Sequence, residues 1–156
     1  VNLKITKNHI SFETGNLLII SRVINGQYPD YHPVIPKEES YTSRMLVNRQ
    51  NLYEMVARGA SIARDANGTI RLHLEDHLLK MSAHSPEIGE IKEELAVQKE
   101  GEDLSIAFNA KYLTDALKCA EGEQVLLLFT GSIGAAVLKQ ESGEDFIHLL
   151  LPVRVR

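Results

Sequence analysis

The chain has 156 residues, of which 44% are hydrophobic and 24% charged, and its formal net charge is -4. That is enough apolar material for one domain with a packed core, or one domain and part of another. The acidic balance argues against a simple basic nucleic-acid-binding domain but allows a locally basic face. The single cysteine, Cys119, excludes an internal disulfide framework and fits a reducing, cytoplasmic setting. No signal peptide and no apolar run long enough to span a bilayer is visible. The chain begins at Val1 rather than Met, so a processed, trimmed or fragmentary chain is expected.

Three strands are predicted first. Val1, Leu3 and Ile5 alternate with polar residues, Ile10 and Phe12 do so after a Lys7-Asn8 turn, and residues 17–24 follow the turn at Thr14-Gly15-Asn16. Residues 26–36 then read Gly-Gln-Tyr-Pro-Asp-Tyr-His-Pro-Val-Ile-Pro. Each proline fixes φ and removes a backbone donor, and the residue before it is pushed toward extended conformations. The stretch is therefore a stiff connector, and it is too apolar to be only a spacer.

A strand at 43–47 leads into a helix at 48–64 whose apolar face is Leu52, Val56, Gly59, Ala60 and Ala63. Asn67-Gly68 is a turn. Strands are predicted at 69–75, 78–83 and 88–97. The order then repeats, with a strand at 104–108 and a helix at 109–120 facing inward with Leu113, Ala116, Leu117 and Ala120. Strands follow at 124–130, 133–139 and 146–151. The two junctions match: Val47-Asn48-x-x-x-Leu52 and Phe108-Asn109-x-x-x-Leu113. In each, the last strand residue packs inward and Asn caps the new helix, worth about 1 kcal/mol over Ala. A strand-helix-strand-strand-strand unit found twice points to internal duplication. The first three strands look like the tail of a third such unit, expected to lie upstream in a longer protein; the alternative is a small hairpin extension on a self-sufficient domain.

Chemical motifs are sparse. His73 and His77 are four apart, a spacing that would pair metal ligands on a helix, but they fall in a strand and a hairpin. Gly131-Ser132-Ile133-Gly134 lacks the Lys-Ser/Thr sequel of a phosphate loop and reads as a hairpin turn. The adjacent acids Glu93-Glu94 and Glu144-Asp145 point to opposite faces of a strand, so neither makes an acid/base pair. Cys119, near a helix end, reads as a small buried or half-buried residue. Nothing makes a case for catalysis. Lys111 and Lys118 share an outward face with Asp115 between them, and Arg58 and Arg64 lie away from the apolar stripe of the first helix. They suggest either a solvated face or a modestly basic surface that touches phosphates without reading sequence. The chain ends Leu149-Leu-Leu-Pro-Val-Arg-Val-Arg156, with Leu151, Pro152 and Val153 expected near the surface.

Three of these segments carry a resemblance. Tyr28-Pro-Asp-Tyr-x-x-Val-Ile-Pro36, Phe108-Asn-Ala-Lys-Tyr-Leu113 and Leu149-Leu-Leu-Pro-Val-Arg154 look like the bacterial DNA polymerase III beta subunit, the replicative sliding clamp, in the family's order and spacing. The resemblance implies an α+β DNA clamp fold, with two helices of the duplicated unit packed on antiparallel sheets. Residues 1–25 would be the closing strands of a truncated middle domain, 26–36 an interdomain connector and 37–156 the complete C-terminal domain.

In that family two crescent-shaped chains close head to tail into a ring around duplex DNA and tether the replicative polymerase. The resemblance thus implies a non-enzymatic processivity factor that needs no cofactor and no metal. Its implied partners are duplex DNA bound without sequence preference, the polymerase, the clamp loader and repair proteins, besides a second copy of the full-length chain. Arg58, Arg64, Lys111 and Lys118 become candidates for the DNA-facing surface. Partners of the family insert a short apolar peptide containing a glutamine. The pocket wall carried over is Pro29, Val34, Asn109, Tyr112, Ile133, Ala135, Leu149, Leu151, Pro152, Val153 and Arg154. Pro33 departs from the pattern, since relatives can carry a basic residue there. Ser61 and Ile62 take positions at the ring contact. The alternative from another class is a peptide-binding interaction domain that never surrounds DNA.

Overall fold

The computed structural model describes residues 1–65, 67–141 and 146–154. The chain divides into two units, Val1–Pro33 and Val34–Arg156. In the first, β1 (Asn2–Ile5), β2 (His9–Thr14) and β3 (Leu17–Arg22) form an antiparallel sheet in that order. None of its strand residues is buried, and Leu3, Ile5, Phe12 and the run from Leu17 to Ile20 are exposed. The connector that follows holds one short 3-10 turn, His32–Val34. The Asp30 carboxylate stiffens it, accepting from the His32 backbone N–H at 3.1 Å and lying 2.7 Å from His32 Nδ1.

The second unit runs β4 (Ser43–Asn48), α1 (Arg49–Ile62), a 3-10 turn (Ala63–Asp65), β5 (Thr69–Glu75), β6 (Leu78–Ser85), β7 (Gly89–Ala96) and β8 (Gln98–Gly101). It continues with β9 (Leu104–Asn109), α2 (Ala110–Cys119), β10 (Gln124–Phe129), β11 (Ala136–Gln140) and β12 (Ile147–Leu150). Two antiparallel sheets result, ordered β12-β11-β10-β4-β8 and β7-β6-β5-β9. The duplication is visible as an exchange of strands. β4 of the first half pairs with β10 of the second, aligning Asn48 with Gln124, and β9 of the second pairs with β5 of the first, aligning Asn109 with Thr69.

Both helices bury one face in a core shared with the inward residues of both sheets. Leu52, Met55, Val56 and Gly59 of α1 and Leu113, Ala116 and Leu117 of α2 meet Met45, Val47, Ile70, Met81, Phe108 and Leu127 there. Met55 belongs to the α1 stripe although the predicted face did not include it. Asn67 and Gly68 form the expected turn, both with left-handed φ, 55° and 65°.

The strand predicted at 88–97 is present as β7, and β8, which was not predicted, follows it, because the chain changes sheets at buried Val97 and joins the edge of β4. Apolar alternation continues through that switch and hides it. Two expectations need correction. The strand predicted from Ile133 starts only at Ala136, and Ile133 sits in the turn, 83% exposed. Cys119 is exposed rather than buried, because Ala116, Leu117 and Ala120 take the inward positions around it. The acidic pair Glu144-Asp145 lies outside the described residues.

Candidate functional site

The start of α2 is fixed first. Asn109 Oδ1 accepts the Lys111 backbone N–H at 2.9 Å, and its Nδ2 donates to the Asn67 carbonyl at 3.2 Å. The cap anchors the first turn of α2 to the Asn67-Gly68 turn that precedes β5 and leaves Tyr112, in that first helical turn, 61% exposed. The chain's last described residues return to this place. After β12 ends, Leu151 is 68% exposed, and the Val153 N–H then donates to the Ala107 carbonyl at 2.8 Å. Ala107 precedes Asn109 by two residues on β9, so the tail lies beside the entry to α2.

The turn joining β10 to β11 supplies another edge. Thr130 Oγ1 donates to the Ala135 carbonyl at 2.9 Å, and Gly131 takes φ +106°, a conformation few side chains allow. Ile133 is held at the tip. It lines one groove of about 860 Å³ together with Pro152, Val153, Arg154 and the outward residues of the β7-β6-β5-β9 sheet.

Leu149 belongs to the outer face of the other sheet. It pairs with Val137, and Val137 with Leu128. Leu128 and Val137 are buried, at 1% and 0%, although they face away from the main core. This second apolar row was not anticipated. Its signal was present in the uninterrupted runs 125–129 and 135–138, since a strand buried on both faces loses its alternation. Of the remaining wall residues, Ala135 is half-buried, Val34 is exposed at the start of the second unit, and Pro29 belongs to the first unit.

The candidate basic residues are more committed than their positions suggest. Arg58 forks onto Glu93, with Nε to Oε1 at 2.7 Å and Nη2 to Oε2 at 2.6 Å. That hydrogen-bonded contact holds the Glu93 carboxyl below its ordinary range and raises the guanidinium above its own. Glu94 points to the opposite face, as adjacent strand residues must. Lys111 Nζ lies 2.5 Å from Asp115 Oδ2, and the bond raises the Lys111 pKa and lowers that of Asp115. Lys118 stands over the Tyr53 ring at 5.8 Å, joining α2 to α1. Arg64 is exposed and has no ion pair among the described residues. Ser61 Oγ donates to the Arg58 carbonyl at 2.7 Å, while Ile62 is half-buried against the core.

Arg49 was missed by the sequence reading. Its Nε donates to the Gly122 carbonyl at 2.9 Å and its Nη1 to the Leu117 carbonyl at 3.3 Å, tying the start of α1 to the end of α2. Among the described residues no group of three or more His, Cys, Asp or Glu side chains is arranged to hold a metal ion. His73 is engaged with Ser105 Oγ at 2.6 Å and Glu75 Oε2 at 3.2 Å. No helix of the described residues is long and apolar enough to cross a membrane.

Residues 32–154 match the family described as DNA polymerase III beta subunit, C-terminal domain. The chain is similar to the beta sliding clamp of Staphylococcus epidermidis, 35% identical over 156 residues, covering 99% of this chain and 41% of that protein. It is 34% identical to the beta sliding clamp of Staphylococcus aureus over the same span. The DNA polymerase sliding clamp of Bacillus subtilis superimposes with a TM-score of 0.89 at 32% identity, covering 99% of this chain and 41% of that one. A Pseudomonas aeruginosa sliding clamp bound to griselimycin superimposes with a TM-score of 0.87 at 31% identity, covering 98% of this chain and 41% of that one. The chain thus spans about 41% of the length of the curated relatives it matches.

Proposed function

The chain belongs to the DNA polymerase III beta subunit family, and on that footing we propose that it works as the C-terminal part of a sliding clamp. The reading rests on one observation: similarity to beta sliding clamps runs over 99% of the chain in sequence, and over 99% in fold at a TM-score of 0.89. Residues 1–25 are then the closing strands of a middle domain, 26–36 the connector and 37–156 the C-terminal domain. An incomplete middle domain accounts for a three-stranded sheet that buries none of its strand residues, since such a sheet needs a covering partner.

The protein performs no chemistry of its own. It encircles duplex DNA as a ring of two chains and keeps the replicative polymerase from leaving. Ser61 and Ile62 sit at the ring contact. Arg64, Arg58, Lys111 and Lys118 face the duplex. The Lys111–Asp115 pair is solvent-exposed and breaks at little cost, so a phosphate can replace its carboxylate in passing without a fixed grip, whereas the Arg58 fork onto half-buried Glu93 is held more firmly.

The polymerase, clamp loader and repair proteins dock a short apolar peptide against Tyr112, Leu149, Leu151, Pro152 and Val153. Asn109 and Arg154 supply polar contacts to its glutamine. The exposure of Tyr112 and Leu151 supports this, because large side chains left open at one place are typical of a docking anchor.

The test uses a chain extended upstream to the length of its relatives. It should stay on circular DNA and slide off once the circle is cut, and equal loss from cut and uncut circles would sink the clamp reading. In the same chain Tyr112→Ala should remove binding of a partner peptide and leave the thermal melt unchanged. Unaltered affinity would remove the pocket assignment.

A further inference from the structure

The outward face of α2 carries a carboxylate that stability does not explain. Among the described residues Asp115 has one hydrogen-bonded side-chain partner, accepting from Lys111 Nζ at 2.5 Å. Aspartate is among the weaker helix formers, because its side chain competes for nearby backbone groups. The pair also runs the less favourable way. An acid placed four residues before a lysine works with the helix dipole, whereas here the lysine comes first and the acid lies in the C-terminal half of the helix. An exposed pair of this kind adds little to the fold.

What surrounds Asp115 is cationic. Lys111 lies one turn before it and Lys118 one turn after. His148 approaches from β12, where it pairs with buried Leu138 and so lies on the side of the sheet that faces the core. The bond from Lys111, with smaller contributions from the charges of Lys118 and His148, holds the Asp115 carboxyl below its ordinary range. Lys118 rests over the Tyr53 ring at 5.8 Å and keeps its ammonium open to solvent. On α1 the charges are arranged otherwise. Arg58 is forked by Glu93 from β7, and Glu54 is bonded to Gln50. Only α2 sets a carboxylate between two lysines of its own exposed face.

We propose that Asp115 limits the grip of α2 on duplex DNA, holding Lys111 when no phosphate is present and repelling the phosphate that displaces it. The inference rests on the reading that α2 faces the duplex, and it names the residue that keeps this face loose. A phosphate arriving at Lys111 exchanges with a carboxylate that cannot diffuse away, because both side chains belong to one helix. The carboxylate stays beside the bound phosphate as a like charge. Two lysines and one fixed acid then attract the backbone about as one cation would, and fewer counterions are released on binding.

The test uses the 156-residue chain and a labelled linear DNA duplex, with fluorescence anisotropy followed across salt concentration. Asp115→Asn keeps the shape of the side chain and removes its charge. It should bind at least about threefold more tightly than the parent at low salt, and its affinity should fall with salt more steeply by about one released counterion. Glu100→Gln removes the same charge from β8, where Glu100 pairs with Arg44 on the sheet face turned away from the helices. It should change affinity less than about 1.5-fold. Lys111→Gln combined with Asp115→Asn should return affinity to within about twofold of the parent. Thermal melts confirm that each variant is folded. An affinity in Asp115→Asn no higher than the parent's, an equal gain from Glu100→Gln, or no duplex binding by any of these chains would each overturn the proposal. None of these readings depends on ring closure. Equal loss from cut and uncut circles would leave them standing, and a failed Asp115→Asn would leave the clamp reading standing.

Discussion

The two halves of the second unit follow one plan and use it differently. In each, a strand ends in an asparagine that caps a helix. Asn48 Oδ1 accepts the Asn51 N–H at 3.0 Å, and Asn109 Oδ1 accepts the Lys111 N–H at 2.9 Å. Each helix starts by donating to the other half. The Arg49 N–H reaches the Glu123 carbonyl and the Ala110 N–H the Gly68 carbonyl, both at 2.8 Å. The inward residues correspond, Leu52 to Leu113 and Val56 to Leu117, and the outward ones do not. Three residues after the cap the first half has Asn51, while the second has Tyr112, an exposed aromatic ring with no core role. The first half turns its outward chemistry onto itself through the Arg58–Glu93 fork. The second ends in short strands and leaves Tyr112, Ile133 and Leu151 open. Duplication therefore fixes the frame, and the departures from it coincide with the surface proposed for partner peptides.

If the frames are equivalent, Leu52→Ala and Leu113→Ala should each cost about 3 kcal/mol in urea unfolding, since removing a buried leucine leaves a cavity and both are 0% exposed. A cost below about 1 kcal/mol for one alone would break the equivalence. The next effect is specific to the first half. A Cβ on Gly59 would lie 2.9 Å from Met81 Sδ and 3.2 Å from Ile70 Cγ2, so α1 rests directly on β5 and β6. Gly59→Leu should overpack that contact by about 2 kcal/mol. The second half places Ala120 at the matching position, where a Cβ is already accommodated.

The caps give a smaller and finer comparison. Asn48→Ala and Asn109→Ala should each cost about 1 kcal/mol in the same assay. The Asn109 change should cost more, because its Nδ2 also donates to the Asn67 carbonyl, whereas Asn48 makes only the cap contact among the described residues. Asn109→Asp, which keeps the acceptor and loses the donor, should fall between. Equal losses at both sites would show that the Asn67 contact contributes nothing.

Much of this frame was legible in the sequence, because cap, strand end and buried leucine recur at fixed spacing in both halves. What escaped was whatever alternation cannot express. Val97 keeps the period while the chain changes sheets, so β8 was invisible. Ile133 looked like the start of a strand, yet Gly131 turns the backbone and leaves it at a tip. The Arg58–Glu93 fork joins residues 35 apart in sequence, a pairing that no local pattern announces. Of the candidate site, the C-terminal run 149–154 was readable as apolar residues beside a proline, while Tyr112 was indicated only by the family resemblance.

The smallest effect tests whether the first half is truly closed on itself. Bonding to Arg58 lowers the Glu93 carboxyl in the folded state, while in the unfolded chain it titrates near the ordinary glutamate value of about 4.3. Between these two values the unfolded chain binds the proton and the folded one does not, so stability rises with pH there. The contribution is fully present above the unfolded value and is lost as pH falls through the depressed folded one. Arg58 stays charged throughout. Arg58→Ala should therefore bring the Glu93 titration, followed by carbon-13 NMR of its carboxyl, back up toward the ordinary value. It should also flatten this segment of the stability–pH curve relative to the parent chain. Glu75, Asp103 and Asp115 are lowered by other partners, so they bend both curves alike and cancel in the difference. An unchanged Glu93 titration in Arg58→Ala would mean that the fork does not hold in solution.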